Sequence, residues 1–186
     1  ERTKVLSDKQ HGFTRGRSRL TNLLETFNEW TQALDDGYGL NVVYLDYRKA
    51  FDTVPHRKLL EKLHGYGITA NLLKWIEGFL TGRKSRVKVN GSSSDWCEVL
   101  SGVPQGSVLG PLLFLIFVND LPASIKSSIK MFADNTKMWR VIKCEDDKSI
   151  LQSDLDELSK WSDRWLLELN QDICRVMYIG DNTQNK

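Results

Sequence analysis

The chain has 186 residues, 40% of them hydrophobic, and sets 26 Lys and Arg against 24 Asp and Glu for a net charge of +2. That length can bury a core of ordinary domain size, and six Trp, seven Phe and five Tyr exclude the aromatic-poor composition of a disordered segment. The balanced charge excludes a polycation, so any contact with nucleic acid must come from local basic clusters.

The first residues, Glu1-Arg2-Thr3-Lys4, carry no initiating Met and no apolar leader, and read as the start of a fragment. Leu20, Leu23, Leu24, Phe27, Trp30 and Leu34 recur at helical spacing after Ser18 and stop before Gly37 and Gly39, which predicts a helix with an apolar stripe. Leu40 to Asp46 is β-branched and aromatic, a buried strand ending in Asp46. Helices follow over 57–64 and 70–80, with Leu59, Leu60, Leu63, Leu73, Ile76 and Phe79 as their apolar faces. Residues 86–90 alternate apolar and basic side chains, Asn90-Gly91 signals a tight turn, and 96–100 would return as the partner strand.

Residues 108–121 are apolar nearly all round, which predicts a buried helix stopped by Pro122. The apolar core of this run, Leu112 to Val118, is far shorter than the ~20 residues a membrane span needs, so no membrane segment is expected. Residues 129–133 and 136–142 flank Asp134-Asn135, an Asx pair suited to a two-residue turn that would display both at a hairpin tip. Leu151, Leu155, Leu158, Trp161 and Trp165 form a helical stripe, with core packing favoured over base stacking for both Trp. A strand at 175–179 and a frayed tail, 181–186, complete the order. This succession predicts an α+β fold, an antiparallel sheet backed by helices.

Two carboxylates, Asp46 at a strand end and Asp134 at a hairpin tip, would meet at one exposed edge if their strands share a sheet. Nucleotidyl transfer uses a pair of divalent ions about 3.5–4 Å apart, and hard Mg²⁺ takes oxygen ligands. Spacing alone is explained as well by two surface Asp residues serving as strand end and turn former. His11, His56 and His64 have no ligand spacing, and no nucleophile triad stands out. Cys97, Cys144 and Cys174 are odd in number and far apart, as expected of reduced thiols in a cytoplasmic or nuclear setting.

Longer blocks resemble the reverse transcriptases of non-LTR retrotransposons of the Jockey and CR1 type, over nearly the whole chain. Residues 45–56, Leu-Asp-Tyr-Arg-Lys-Ala-Phe-Asp-Thr-Val-Pro-His, resemble that family's first palm motif. Residues 101–111, Ser-Gly-Val-Pro-Gln-Gly-Ser-Val-Leu-Gly-Pro, resemble the second, and Phe132-Ala133-Asp134-Asn135 the third. Gln10 to Ser18 is similar to the fingers segment ahead of the palm. The resemblance implies a polymerase palm of split βαβ kind over 40–180, preceded by a partial fingers segment, 1–39.

It further implies an RNA-directed DNA polymerase using two Mg²⁺ ions, or Mn²⁺, with an RNA template, a DNA primer and deoxynucleoside triphosphates. A thumb and an endonuclease domain would lie elsewhere in the parent polyprotein. Asp46, Asp134 and the backbone carbonyl of Tyr47 would bind metal. Phe51 would pack beneath the sugar and exclude a 2′-hydroxyl, whereas Asp52 would order the local turn. Gln105 and Gly106 would approach the nucleotide, Gly permitting close backbone contact. Arg15 and Arg17 could pair with triphosphate oxygens, and Arg83, Lys84, Arg86 and Lys88 could track a phosphate backbone. A solvated surface explains either set of cations comparably well.

Two positions depart from the pattern. Position 135 is Asn where the third motif normally ends in a second Asp, so the site loses a carboxylate. Position 173 is Ile where the family places a Lys that protonates pyrophosphate, with Arg175 two residues on as a partial substitute. These losses predict weak or absent polymerisation, and the alternative reading is a non-catalytic nucleic-acid-binding remnant.

Overall fold

The computed structural model describes residues 5–180; the predicted frayed tail, 181–186, lies outside them. The chain divides into two compact units, one formed by Glu1–Arg48 with Val118–Lys186 and the other by Lys49–Phe117.

The first unit holds a four-stranded antiparallel sheet in the order β6-β7-β1-β8, built from β1 (Gly39–Leu45), β6 (Ser128–Phe132), β7 (Asn135–Ile142) and β8 (Arg175–Ile179). Helices α1 (Arg19–Asp35) and α6 (Glu145–Trp165) belong to the same unit. Register places Val42 opposite Trp139 and Met177, and Tyr44 opposite Lys137 and Arg175. Trp30 and Ala33 of α1 cover Leu40, Val42 and Trp139, with Met177 and Ile179 at the margin. The Trp30 and Trp139 rings meet edge to face at 6.0 Å, the geometry their quadrupoles favour. On the other face, Tyr47 packs at 6.5 Å from Trp161 of α6. The buried carboxylate of Asp154 accepts the Lys126 and Ser127 N–H groups at 3.0 and 2.7 Å, fixing the entry to β6.

The helix α1 forms where predicted, and Ser18 caps it through Thr21. Its buried face is another one. Asn22, Thr26, Trp30 and Ala33 point inward, while Leu20, Leu23, Leu24 and Phe27 are exposed. The polar pair is affordable inside because Asn22 Nδ2 donates to the Met131 carbonyl at 3.2 Å and Thr26 Oγ1 to the Asn22 carbonyl at 2.6 Å. The β6–β7 turn is also one residue earlier than expected. Phe132 pairs with Asn135, so Ala133 and Asp134 are the loop residues and Asn135 opens β7.

The second unit contains α2 (Ala50–Thr53), α3 (His56–Gly65), α4 (Ala70–Leu80) and most of α5 (Leu109–Val118). Leu59, Leu63, Ile76 and Leu80 are buried, as is α5 from Leu113 to Val118. Val108, 97% exposed, and Leu112 are not. Pro122 sits inside a 3₁₀ turn, Leu121–Ser124, rather than ending a helix there. The predicted hairpin is two short ladders. β3 (Lys88–Val89) pairs with β4 (Ser92–Ser93) around Asn90-Gly91, and β2 (Lys84–Ser85) pairs with β5 (Cys97–Glu98). Asn90 and Gly91 both have positive φ, the requirement of a two-residue type I′ turn, which makes 92–93 the partner of 88–89, while 97–98, within the expected 96–100, returns against 84–85.

Candidate active site

Strand β1 delivers Asp46. Leu45 pairs with Thr136, so Asp46 continues into the row of Asn135, with Asp134 one residue further into the turn. Asp46 Oδ1 accepts the Tyr47 N–H at 2.7 Å. Burial first, then the Asp46 charge, push the Asp134 carboxyl above its ordinary value, against the pull of the backbone N–H groups of Asp134 and Asn135. The two acids therefore share one electrostatic environment. Asn135 Nδ2 lies 3.4 Å from Asp134 Oδ1, a stabilising contact that a second Asp would replace with repulsion.

The turn is braced from the chain start. Ala133 is held at φ 56°, a conformation costly for a residue with a side chain. The side chain of buried Gln10 spans it: Oε1 accepts the Ala133 N–H at 2.9 Å and the Gly12 N–H at 2.8 Å, and Nε2 donates to the Ala133 carbonyl at 3.2 Å. A Cβ on Gly12 would fall 2.3 Å from Ala133 N, so only Gly allows this approach. His11 N–H donates to the Met131 carbonyl at 2.9 Å and Met131 N–H to the Lys9 carbonyl at 2.8 Å, extending the sheet edge. No sequence pattern distinguished Gln10 from other residues of its block.

Tyr47 bridges Leu169, and the flanking hydrogen bonds use the Asp46 carbonyl, which accepts from Asn170, and the Arg48 N–H, which donates to Glu168. Neither uses the Tyr47 carbonyl. Burial of the Tyr47 ring pushes its phenol far above the usual range, so the hydroxyl stays protonated. Asp46, Asn135 and Ile173 line a common cavity of about 300 Å³. Ile173 thus shares a cavity with Asp46, whereas the Arg175 guanidinium donates to the Asp172 and Cys174 carbonyls at 2.7 and 2.8 Å.

The donors gathered here are all hard oxygens, which suits a divalent cation of the Mg²⁺ class. The set is one carboxylate short of strong, since among the described residues no three His, Cys, Asp or Glu side chains cluster as a metal site. Arg17 is half-buried and braces its own segment, donating to His11 Nε2 at 3.0 Å and to the Asp8 carbonyl. Burial lowers the His11 pKa, leaving the ring neutral to accept that bond. Arg15 is exposed.

In the second unit, the two longest motif blocks meet. Val103 N–H donates to the Phe51 carbonyl and Gly102 N–H to the Val54 carbonyl, each at 2.8 Å. Gly102 has φ +81°, and a Cβ there would lie 2.6 Å from the Asp52 backbone. Asp52 Oδ1 accepts from Gln105 Nε2 at 2.8 Å, a contact between the two blocks rather than within the turn that Asp52 was expected to order. The Phe51 ring stacks on Phe114 at 4.3 Å, and Gly106 is exposed at φ +80°. Arg83 donates to the Leu80 and Gly102 carbonyls at 2.7 Å, whereas Lys84, Arg86 and Lys88 are exposed. The Arg86 guanidinium lies 4.6 Å from the Trp96 ring centroid.

An antiparallel sheet with helices packed on it, carrying Asp46 at a strand end and Asp134 in a hairpin turn, is a polymerase palm-like α+β fold. The model of the family described as "Reverse transcriptase (RNA-dependent DNA polymerase)" matches residues 1–185, and the chain belongs to that family. It is 32% identical over 182 residues to a protein named "Probable RNA-directed DNA polymerase from transposon BS" of Drosophila melanogaster, covering 90% of this chain and 19% of that one. It is 31% identical to the "RNA-directed DNA polymerase from mobile element jockey" of Drosophila funebris, covering 94% and 20%. The chain thus spans about a fifth of the length of these relatives. Apo telomerase from Candida tropicalis matches in structure at a TM-score of 0.66 with 11% identity, over 96% of this chain and 37% of that one. Telomerase from Candida albicans, in complex with a telomeric RNA fragment, matches at 0.66 with 13% identity, over 89% and 30%. Likeness at such identity speaks to fold alone. Among the described residues no helix is long and apolar enough to cross a membrane.

Proposed function

We propose that this chain is the core of an RNA-directed DNA polymerase that extends a DNA primer on an RNA template, with its turnover reduced by Asn135 and Ile173. Residues 1–39 belong to the fingers and 40–180 to the palm in this reading. The observation that carries it is the convergence of Asp46 and Asp134, distant in sequence, in one electrostatic environment.

Asp46, Asp134 and the Tyr47 carbonyl would hold the metal, with the Asn135 amide oxygen as a weaker neighbour. Two Mg²⁺ or Mn²⁺ ions there would activate a 3′-hydroxyl and stabilise a leaving pyrophosphate. The chain's own groups do the rest. Gln10 and Gly12 hold the turn that presents Asp134. Phe51 would exclude a ribose 2′-hydroxyl, Gln105 and Gly106 would position the nucleotide, and Arg15 and Arg17 would meet its triphosphate. Arg83, Lys84, Arg86 and Lys88 would follow the template backbone without reading bases. Reduced thiols fit work in the cytoplasm or nucleus.

The two departures act on different steps. Asn135 weakens metal binding, and Ile173 offers no proton to pyrophosphate where a general acid contributes roughly 10²–10⁴-fold. Primer extension on an RNA template with Mg²⁺, with thumb and flanking segments supplied from a relative, tests this. Asn135→Asp should raise the rate by about 10²-fold, by analogy with loss of one transition-state-stabilising group, and Ile173→Lys should raise it further. Equal rates in all versions would contradict the account. Mg²⁺-independent nucleic-acid binding without nucleotide binding would instead support the non-catalytic remnant, which Asn135 and Ile173 themselves favour.

A further inference from the structure

The cavity beside Asp46 contains an uncompensated cation that the proposed chemistry does not use. Besides Asp46, Asn135 and Ile173 it is lined by Tyr44, Lys130 and Lys137. Lys130 stands directly opposite Lys137 across the β6–β7 ladder, and Lys137 directly opposite Tyr44 across the β7–β1 ladder. Side chains at paired positions share a face, so a row of two lysines and a tyrosine runs across the sheet, one two-residue step from the row of Asn135 and Asp46.

Like charges directly opposed on neighbouring strands oppose folding. One is offset: Glu25 of α1 pairs with Lys130. Lys137 is half-buried and, among the described residues, has no acidic partner. Asn22 is occupied with the Met131 carbonyl and Arg175 with backbone carbonyls, so neither closes the space. Tyr44 adds a hydroxyl to the lining. The result is a recess of about 300 Å³, floored by a cation and a hydroxyl donor, with room for one phosphate group.

We infer that Lys137, with Tyr44, binds a backbone phosphodiester of the primer strand close to its 3′ end. The step from Asp46 to Tyr44 spans two strand residues, about 6.6 Å, comparable to the separation of successive phosphates along a strand. A strand ending at the acids therefore lays a phosphate over Lys137. The inference rests on the reading of Asp46 and Asp134 as the place where a 3′ end is extended. Lys137 would act as a point charge on phosphate and contribute no base specificity.

The test is the salt dependence of equilibrium binding by the full chain, measured with a labelled RNA-template–DNA-primer duplex and with the template strand alone. Lys137→Gln should weaken duplex binding several-fold at low salt and reduce the log–log salt slope by about 1, while leaving binding of the template alone unchanged. Lys137→Arg should retain the slope, as should Lys148→Gln on exposed α6, and thermal melting checks that each variant folds. An unchanged slope on the duplex, or an equal fall on template alone, overturns the assignment. Failure of the unmodified chain to bind the duplex overturns this site, whereas the polymerase reading stands or falls on primer extension with the thumb and flanking segments supplied.

Discussion

The sheet face that carries Leu40, Val42, Tyr44 and Asp46 is two different surfaces along a single strand. At its start, Leu40 and Val42 are fully buried under Trp30 and Ala33 of α1 and flanked by Trp139. At its end, Tyr44 is 38% exposed and opens with Asp46, Lys137 and Ile173 onto a cavity. Both ends share one backbone ladder. Packing at the covered end holds strands whose far end carries two like-charged pairs, Asp46 with Asp134 and Lys130 with Lys137, each repelling within itself. Burial in one place thus makes charge display possible in another, the usual division between a stable scaffold and a destabilised site.

Breaking the covered end should have the largest effect. Trp139→Ala removes a side chain that is 1% exposed and should cost about 3–5 kcal/mol in urea unfolding. Leu24→Ser on the outward side of α1, 59% exposed, should stay within about 0.5 kcal/mol. Equal losses would mean that α1 packs through its leucine stripe after all. The next largest effect belongs to the brace on the β6–β7 turn. Gln10→Leu strips the Ala133 N–H and carbonyl of their partner and should cost about 1–3 kcal/mol for buried groups left unsatisfied. A loss under about 0.5 kcal/mol would show that the turn holds its conformation unaided.

What the sequence revealed follows the same division. The run of β-branched residues before Asp46, the all-apolar α5 and the Asn90-Gly91 turn are local signals, and each element forms where its own residues dictate. The motif blocks located the acids, though Asp134 sits inside the turn and Asn135 outside it because Ala133 takes the left-handed position. The buried face of α1 was illegible: Asn22 and Thr26 look like solvent residues, and only their backbone acceptors, one of them over a hundred positions away, make them core. Gln10 was hidden for the same reason, since its partner Ala133 lies 123 residues along the chain. Lys130 and Lys137 gave no signal either, because a cross-strand pair exists only once the register is set.

The central claim is that Asp46 and Asp134 occupy a common site, and it can be measured without metal or nucleic acid. Because the Asp134 carboxyl is raised in the folded chain, folding takes up a proton there just above the ordinary carboxylate range. Its contribution to stability is therefore greatest below that window and falls as pH rises through the folded-state value. Carbon-13 NMR titration of the Asp134 carboxyl, in the unmodified chain and in Asp46→Asn, reads the coupling directly. The account predicts a raised value that drops part of the way back when Asp46 loses its charge, burial sustaining the remainder. An Asp134 titration identical in both proteins would mean that the two acids do not sense each other, and the site would dissolve into a strand end and a turn.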